Sequence, residues 1–284
     1  MTAAPAGSAA VLAWLDLMRL QACGADEFAT APALAQPARV FGGQLLAQGL
    51  RAAAVTVPSP ELAPATLHAQ FIRAGRADEE MRYRVERVHD GGSTAWRSVA
   101  ASQDGRVVCR LEASFCRPSD GAEFQAGSPP PVPPAEPPVP GPPAYELTWS
   151  ALPQVVDLRR VIRPAVDAAP RSAAWLRADD RLPDDALLHA CLVAWASDLT
   201  ASDSATQIYG AVPGDGRVAV ASLDHHLWFH RPVRADEWIL LDQRSEVAVA
   251  GRVLTNGVIY DEAGCRVATV AQLALVRHRK REPR

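Results

Sequence analysis

A proline-rich stretch near the middle of the chain divides it into two parts of similar size. In residues 128–143, SPPPVPPAEPPVPGPP, successive prolines fix φ and remove backbone donors, which favours an extended spacer over a helix or a strand. We therefore predict a linker over 128–144 between an N-terminal domain, 1–127, and a C-terminal domain, 145–284. Two parts of similar size also suggest an internal repeat.

The two parts follow one plan, a helix and then four long strands. Helical spacing of apolar residues predicts helices over 40–57 and 183–198, the second with Pro183 at its first position. Strand-like runs follow at 65–73, 81–89, 93–103 and 106–117 in the first part, and at 218–230, 237–248, 252–261 and 265–277 in the second. One helix followed by antiparallel strands, twice over, predicts an α+β duplication.

The two parts differ at polar positions that the repeat would otherwise keep apolar. Asp198 continues the apolar stripe of the second helix, although a carboxylate there loses solvation and opposes the helix dipole. Gln272 interrupts the apolar run VATVAQLALV, and its equivalent in the first part is Ala113. If both side chains point inward, the fold keeps one of two ancestral sites. The alternative is that Asp198 caps the next turn and Gln272 faces solvent.

Charge and cysteine content narrow the classes of partner and compartment. A net charge of −3 provides no overall basic field, so we expect no nucleic-acid partner. The five cysteines are odd in number and form no CxxC pair, which favours reduced thiols in the cytoplasm over disulfides or a zinc site. No apolar run approaches the roughly 20 residues that span a bilayer, and no basic residue precedes the N-terminal apolar patch. We therefore expect a cytoplasmic protein without a membrane span or a signal peptide.

The stretch ASLDHHLWFHRP, residues 221–232, crowds polar groups into a strand. On a straight strand Ser222, Asp224 and His226 share one face, and His225 takes the other. Residues on one face lie about 7 Å apart for each two positions, too far for His226 and His230 to bind one ion without a bend. We therefore expect no metal, and we predict that these side chains pack at the seam between two sheets with only Ser222 reaching a site.

Several motifs resemble one known family, in the same order along nearly the whole chain apart from the linker. They are VFGGQLLAQGL, LHAQFIRAG, VHDGGSTAWRSVAA, LEASF, RLPDDALLHACLVAWASD, ASLDHHLWFHRP and AQLALVR. They resemble the acyl-CoA thioesterase II (TesB-like) family of double-hotdog proteins. The resemblance implies two fused hotdog domains, each a long helix wrapped by an antiparallel sheet. It also implies hydrolysis of acyl-CoA to free acid and CoA without a cofactor, in a homo-oligomer.

The resemblance also implies the identity of the catalytic residues. Family members hold a catalytic water with an Asp at the end of the second helix, a Thr before the DH strand and a Gln in the last strand. The matching residues here are Asp198, Ser222 and Gln272, so a serine stands where the family has threonine. The hydroxyl is kept, but its rotamer is less restrained without the γ-methyl group.

Two other functions are compatible with the sequence. A hotdog hydratase or dehydratase uses an acid–base pair, and Asp184 and His189 have D-x4-H spacing, but without the Gly and Asn-Pro surroundings of that chemistry. A protein that binds acyl-CoA without turnover is the second alternative. A serine hydrolase of the α/β type is disfavoured because the sequence contains no G-x-S-x-G motif.

Overall fold

The computed structural model describes residues 8–32, 39–130, 155–161, 170–211 and 216–278. Most of the predicted linker, residues 131–144, lies outside these ranges. The described segment before the linker, which ends at residue 130, contacts the second half of the chain. There the side chain of Gln125 donates to the carbonyl of Gly264 at 2.9 Å and accepts from the backbone N–H of Arg266 at 2.7 Å.

Each half contains its predicted long helix and four long strands, together with shorter elements that the sequence analysis did not predict. In the first half these are α1 (Ala9–Leu17), β1 (Gln21–Gly24), β2 (Glu27–Thr30), α2 (Gly42–Ala54), β3 (Ala63–Phe71), β4 (Met81–Asp90), β5 (Thr94–Gln103) and β6 (Arg106–Cys116). In the second half they are β7 (Val156–Val161), β8 (Arg171–Ala178), α3 (Ala186–Ser197), α4 (Asp203–Gln207), β9 (Val218–Phe229), β10 (Ile239–Val249), β11 (Arg252–Asp261) and β12 (Arg266–His278).

All twelve described strands form one antiparallel sheet. Their order is β1-β2-β4-β5-β6-β3-β9-β12-β11-β10-β8-β7, and the two halves meet where β3 pairs with β9. Read outward from this seam, the order of one half repeats that of the other. The predicted α+β duplication is therefore confirmed, with each half contributing six strands to a shared sheet.

The inner face of the sheet packs on α2 and α3, which lie side by side. The ring of Trp195 on α3 packs edge-on against Phe41, with centroids 5.3 Å apart, and against Trp14 of α1 at 6.4 Å. Gly43 allows the close approach of the helices, because a Cβ there would collide with the carbonyl oxygen of Trp195. As a result the first turn of α2 lies against the last turn of α3.

The structure departs from the sequence prediction at the start of α3. The predicted first position, Pro183, lies before the helix, and Asp185 is the N-cap. Its side chain accepts from the backbone N–H groups of Leu187 and Leu188 at 2.9 and 3.4 Å, which satisfies two donors of the first turn.

Candidate active site

Asp198 lies at the C-terminal end of α3 and faces the other half of the molecule. Its side chain is 8% exposed. At the first turn of α2, a Cβ on Gly42 would lie 2.5 Å from Oδ2 of Asp198, so the backbone of that turn approaches the carboxylate directly. Burial raises the pKa of Asp198 to about 7, and hydrogen bonds from the Gly43 backbone N–H and the Gln272 side chain lower it in part.

Gln272 projects from β12 into the same space. Only 2% of the residue is exposed, so the solvent-facing alternative is excluded for this side chain. Its Nε2 donates to Oγ of Ser222 at 2.6 Å. The structure thus brings the side chains of Asp198, Ser222 and Gln272 into one cluster.

Ser222 reaches this cluster because β9 contains a β-bulge. Asp224 pairs with Leu273 of β12, but the next pair is Ser222 with Ala274, so Leu223 is skipped. The extra residue moves Ser222 to the inner face that carries His225 and Gln272. The straight-strand prediction that Ser222 shares a face with Asp224 is therefore wrong.

His225 is a fourth member of the cluster. The sequence analysis placed it on the face opposite to Ser222, but the bulge puts both residues on the inner face. His225 is fully buried, with Nδ1 2.5 Å from Oε1 of Gln272 and 3.8 Å from Oδ1 of Asp198. Its Nε2 lies 2.9 Å from Oγ of Ser197. Burial lowers the pKa of His225 to about 4, so the imidazole is neutral at pH 7.

The other polar side chains of this strand lie on the outer face of the sheet. The ring of His226 lies 4.7 Å from that of His68 across the β3–β9 seam and 6.1 Å from that of Trp228. His230 is hydrogen-bonded to Thr269 at 2.7 Å. Within the ranges that the structure describes, no three His, Cys, Asp or Glu side chains are grouped so as to hold a metal ion.

The first half has no comparable cluster at the related positions. The sheet register pairs Leu67 with Ala113, where the second half pairs His225 with Gln272. The neighbouring strand places Arg97 opposite Ala113, and its fully buried guanidinium donates to Oγ1 and the carbonyl of Thr56, just beyond the end of α2. An arginine therefore occupies the space beside α2 in the first half.

Comparison with known proteins identifies the family. The model of the acyl-CoA thioesterase N-terminal domain matches residues 30–117, and that of the acyl-CoA thioesterase C-terminal domain matches residues 126–276. The chain belongs to the acyl-CoA thioesterase family. Its relatives include rat acyl-coenzyme A thioesterase 8, with 30% identity over 86% of this chain and 82% of that protein. Acyl-CoA thioesterase 2 of Haemophilus influenzae is 28% identical over 84% of this chain and 88% of its own length.

Solved structures of the family have the same architecture. Acyl-CoA thioesterase II TesB2 from Mycobacterium marinum superposes with a TM-score of 0.80 at 35% identity, over 95% of this chain and 99% of that one. A tesB protein from Mycobacterium avium subspecies paratuberculosis gives a TM-score of 0.80 at 26% identity, over 95% and 100%. The dehydratase domain of RzxB from Pseudomonas fluorescens, at 13% identity and a TM-score of 0.52, shares the fold alone.

The acid–base pair of the dehydratase hypothesis does not form in this thioesterase-family chain. Asp184 has a side chain that is 95% exposed and accepts from Arg234 at 2.6 Å. His189 is buried, and its Nδ1 accepts from the backbone N–H of Ala235 at 3.0 Å. The two side chains therefore have different hydrogen-bond partners, Arg234 and the backbone of Ala235.

Proposed function

We propose that the protein hydrolyses acyl-CoA to free acid and CoA, with Asp198, Ser222 and Gln272 holding the attacking water. Membership of the acyl-CoA thioesterase family supports the reaction. The observation that carries the choice of residues is the buried carboxylate beside a hydrogen-bonded hydroxyl and amide, all from the second half, against the first turn of α2.

Asp198 is the general base in this proposal. A thioester is activated enough for a positioned water to attack its carbonyl carbon directly, so no covalent enzyme intermediate is required. A carboxylate with a pKa of about 7 is substantially ionised at neutral pH and is a stronger base than an exposed aspartate. It takes one proton of the water as the oxygen bonds to the carbonyl carbon. The tetrahedral intermediate then collapses, the C–S bond breaks, and CoA leaves as the thiolate, which takes up the proton held by Asp198.

Ser222 and Gln272 orient the water relative to Asp198. A serine hydroxyl and an amide each offer donors and acceptors, so together they restrict the directions of the water's lone pairs and protons. The oxyanion that develops on the substrate needs preorganised donors. We propose the backbone N–H groups of the N-terminal turn of α2 for this role, since that turn adjoins Asp198.

A thiol-trapping assay over a panel of acyl-CoA substrates, from acetyl to long chain, tests this proposal. We expect Asp198→Asn and Gln272→Ala each to lower CoA release by about 100-fold, a typical contribution of a positioned acid–base group. Glu112→Gln is the matched control, because its carboxylate lies on β6 and is bound by Ser98 in an exposed hydrogen bond. A protein that only binds acyl-CoA would show saturable affinity without CoA release. Unchanged hydrolysis in both site variants would contradict the assigned residues.

We further propose that the protein is cytoplasmic and homo-oligomeric, with domains 1–127 and 145–284 joined by the 128–144 linker. No described helix is long and apolar enough to cross a membrane. The homo-oligomeric state is what the resemblance to double-hotdog proteins implies. Light scattering after gel filtration tests the assembly, cell fractionation tests the location, and limited proteolysis tests whether cleavage falls within 128–144.

A further inference from the structure

We propose that His225 is a positioning residue that fixes the side-chain amide of Gln272, so that the NH₂ group faces Ser222 and Asp198. The geometry of the cluster carries this inference, and its kinetic consequence rests on the proposed function. His225 is buried within the site and contacts the two polar side chains that flank it, Gln272 and Ser197, through its two ring nitrogens.

The chemistry of the donors and acceptors sets the direction of the hydrogen bonds. Oε1 of Gln272 can only accept, so Nδ1 of His225 carries the proton of the 2.5 Å bond between them. In a neutral imidazole Nε2 is then an acceptor, and it takes the hydroxyl proton of Ser197 at 2.9 Å. The chain continues as Nε2 of Gln272 donates to Ser222 at 2.6 Å.

A series of hydrogen bonds in which every donor and acceptor is reversed would also satisfy most of these atoms. In it the hydroxyl of Ser197 donates to the carbonyl of Ala194, which lies 2.9 Å away, and the imidazole proton moves to Nε2. The amide of Gln272 would then be rotated, with its NH₂ group toward His225. Its carbonyl oxygen would face Asp198, where the side chain of Gln272 now donates a hydrogen bond.

The charge of Asp198 discriminates between the two directions. An ionised carboxylate is stabilised by an N–H donor and destabilised by a second acceptor facing it in a buried site. The groups around Asp198 are His225 on β9, Gln272 on β12 and the Gly43 N–H of α2. His225 is the titratable group among them, and it is neutral, with His226 on the outer face of β9 further disfavouring its charge. The Nδ1 proton of His225 therefore keeps the Gln272 donor directed at the base.

Three substitutions separate positioning from simple packing. His225→Asn places an amide nitrogen near the position of Nδ1 and keeps the donor to Gln272. His225→Gln places its amide near the position of Nε2, and His225→Leu removes both nitrogens. In the Leu and Gln variants the amide of Gln272 is no longer held, so its hydrogen bond to the charged Asp198 is lost. We therefore expect kcat to fall roughly 10- to 100-fold in these two variants, with KM within about twofold of the parent. The Asn variant is expected to retain kcat within about fivefold of the parent.

The pKa of Asp198, followed by carboxyl carbon-13 NMR, provides a readout that does not depend on turnover. We expect it to rise by about one unit in the Leu and Gln variants and to stay near the parent value in the Asn variant. A parent protein that releases no CoA would contradict the proposed function while leaving this titration intact. An Asp198 titration in His225→Leu equal to that of the parent, or an Asn variant no better than Leu, would overturn the positioning role. Circular dichroism confirms that each variant compared is folded.

Discussion

Gly42 and Asp198 are 156 positions apart in the chain, and the backbone of one lies directly against the carboxylate of the other. A Cβ on Gly42 would lie 2.5 Å from Oδ2 of Asp198 and 3.2 Å from Cζ of Phe71. The helix start of one half thus forms part of the wall around the proposed base, which the other half supplies.

This contact predicts that Gly42→Ala lowers activity without unfolding the protein. The methyl group displaces the carboxylate or the first turn of α2, and a misplacement of the reacting groups by about 1 Å costs on the order of 100-fold in rate. We expect kcat for acyl-CoA hydrolysis to fall by that order. Gly121→Ala is the control, because a Cβ there meets nothing within 4 Å. Equal rates for the two variants would show that the Gly42 contact does not position the base.

The pKa of Asp198 predicts the acid limb of the pH–rate profile. The pKa of this carboxyl is about 7, and the base must be ionised to accept a proton. We therefore expect kcat/KM to rise tenfold per pH unit below about pH 7 and to level off above it. The measurement is the initial rate of CoA release from pH 5 to pH 9 with a substrate stable over that range. A profile that is flat between pH 5 and pH 7 would exclude Asp198 as the titrating base.

Asp198 also makes folding stability depend on pH in the opposite sense. The pKa of the carboxyl is raised from 3.8 to about 7 on folding, so between these values the folded state binds more protons than the unfolded state. The free energy of unfolding contributed by Asp198 therefore falls as pH rises through this window. We expect Asp198→Asn to raise the free energy of unfolding, and to raise it by about 2 kcal/mol more at pH 8 than at pH 5. Urea denaturation of parent and variant at both pH values measures this. Since both proteins contain the buried His225, the difference between them reports on Asp198.

The asymmetry of the internal repeat identifies two residues of the cluster from the sequence alone. Asp198 and Gln272 stand out because a carboxylate and an amide occupy positions that are apolar or uncharged in the sister half. The long strands were also predicted, since two-residue alternation on a half-buried sheet is visible in sequence. The short outer strands were not, because β1 is exposed along its whole length and provides no such alternation.

His225 and Gly42 were missed for a different physical reason. A bulge at Leu223 changes which residues of β9 face inward, and nothing in the local composition indicates a skipped residue. The approach of Gly42 to Asp198 depends on how two helices pack across the molecule. Strand alternation and helix periodicity carry information about near neighbours, so they do not predict contacts of this kind.

Substitution of Ser222 tests the departure from the family threonine. Ser222→Thr keeps the hydroxyl that accepts from Gln272 and restricts its rotamer, which reduces the entropy lost when the water is held. We expect kcat to rise by about twofold. Ser222→Ala removes the hydroxyl and is expected to lower kcat by roughly tenfold, the effect of one lost hydrogen bond. Steady-state kinetics on all three proteins measures this series, and an alanine variant as active as the parent would contradict a role for the hydroxyl.

Arg97 is expected to matter for stability and not for catalysis. Its buried guanidinium donates to Asp90 at 2.5 Å and to the carbonyl of Thr56 at 2.9 Å, so Arg97→Ala leaves both acceptors without this donor and opens a cavity. The carboxylate of Asp90 is 36% exposed, so the cost comes mainly from the cavity and the unpaired Thr56 carbonyl; we expect about 2–4 kcal/mol, measurable as a fall in the free energy of unfolding. Arg87→Ala, which removes a partly exposed pair with Asp26, is the matched control and should cost less than about 1 kcal/mol. For the fraction that remains folded, kcat should equal that of the parent, since Arg97 contacts Thr56 beyond the C-terminal end of α2, whereas the proposed site lies at the N-terminal end of that helix. A large loss of kcat at unchanged stability would instead place Arg97 in the reaction.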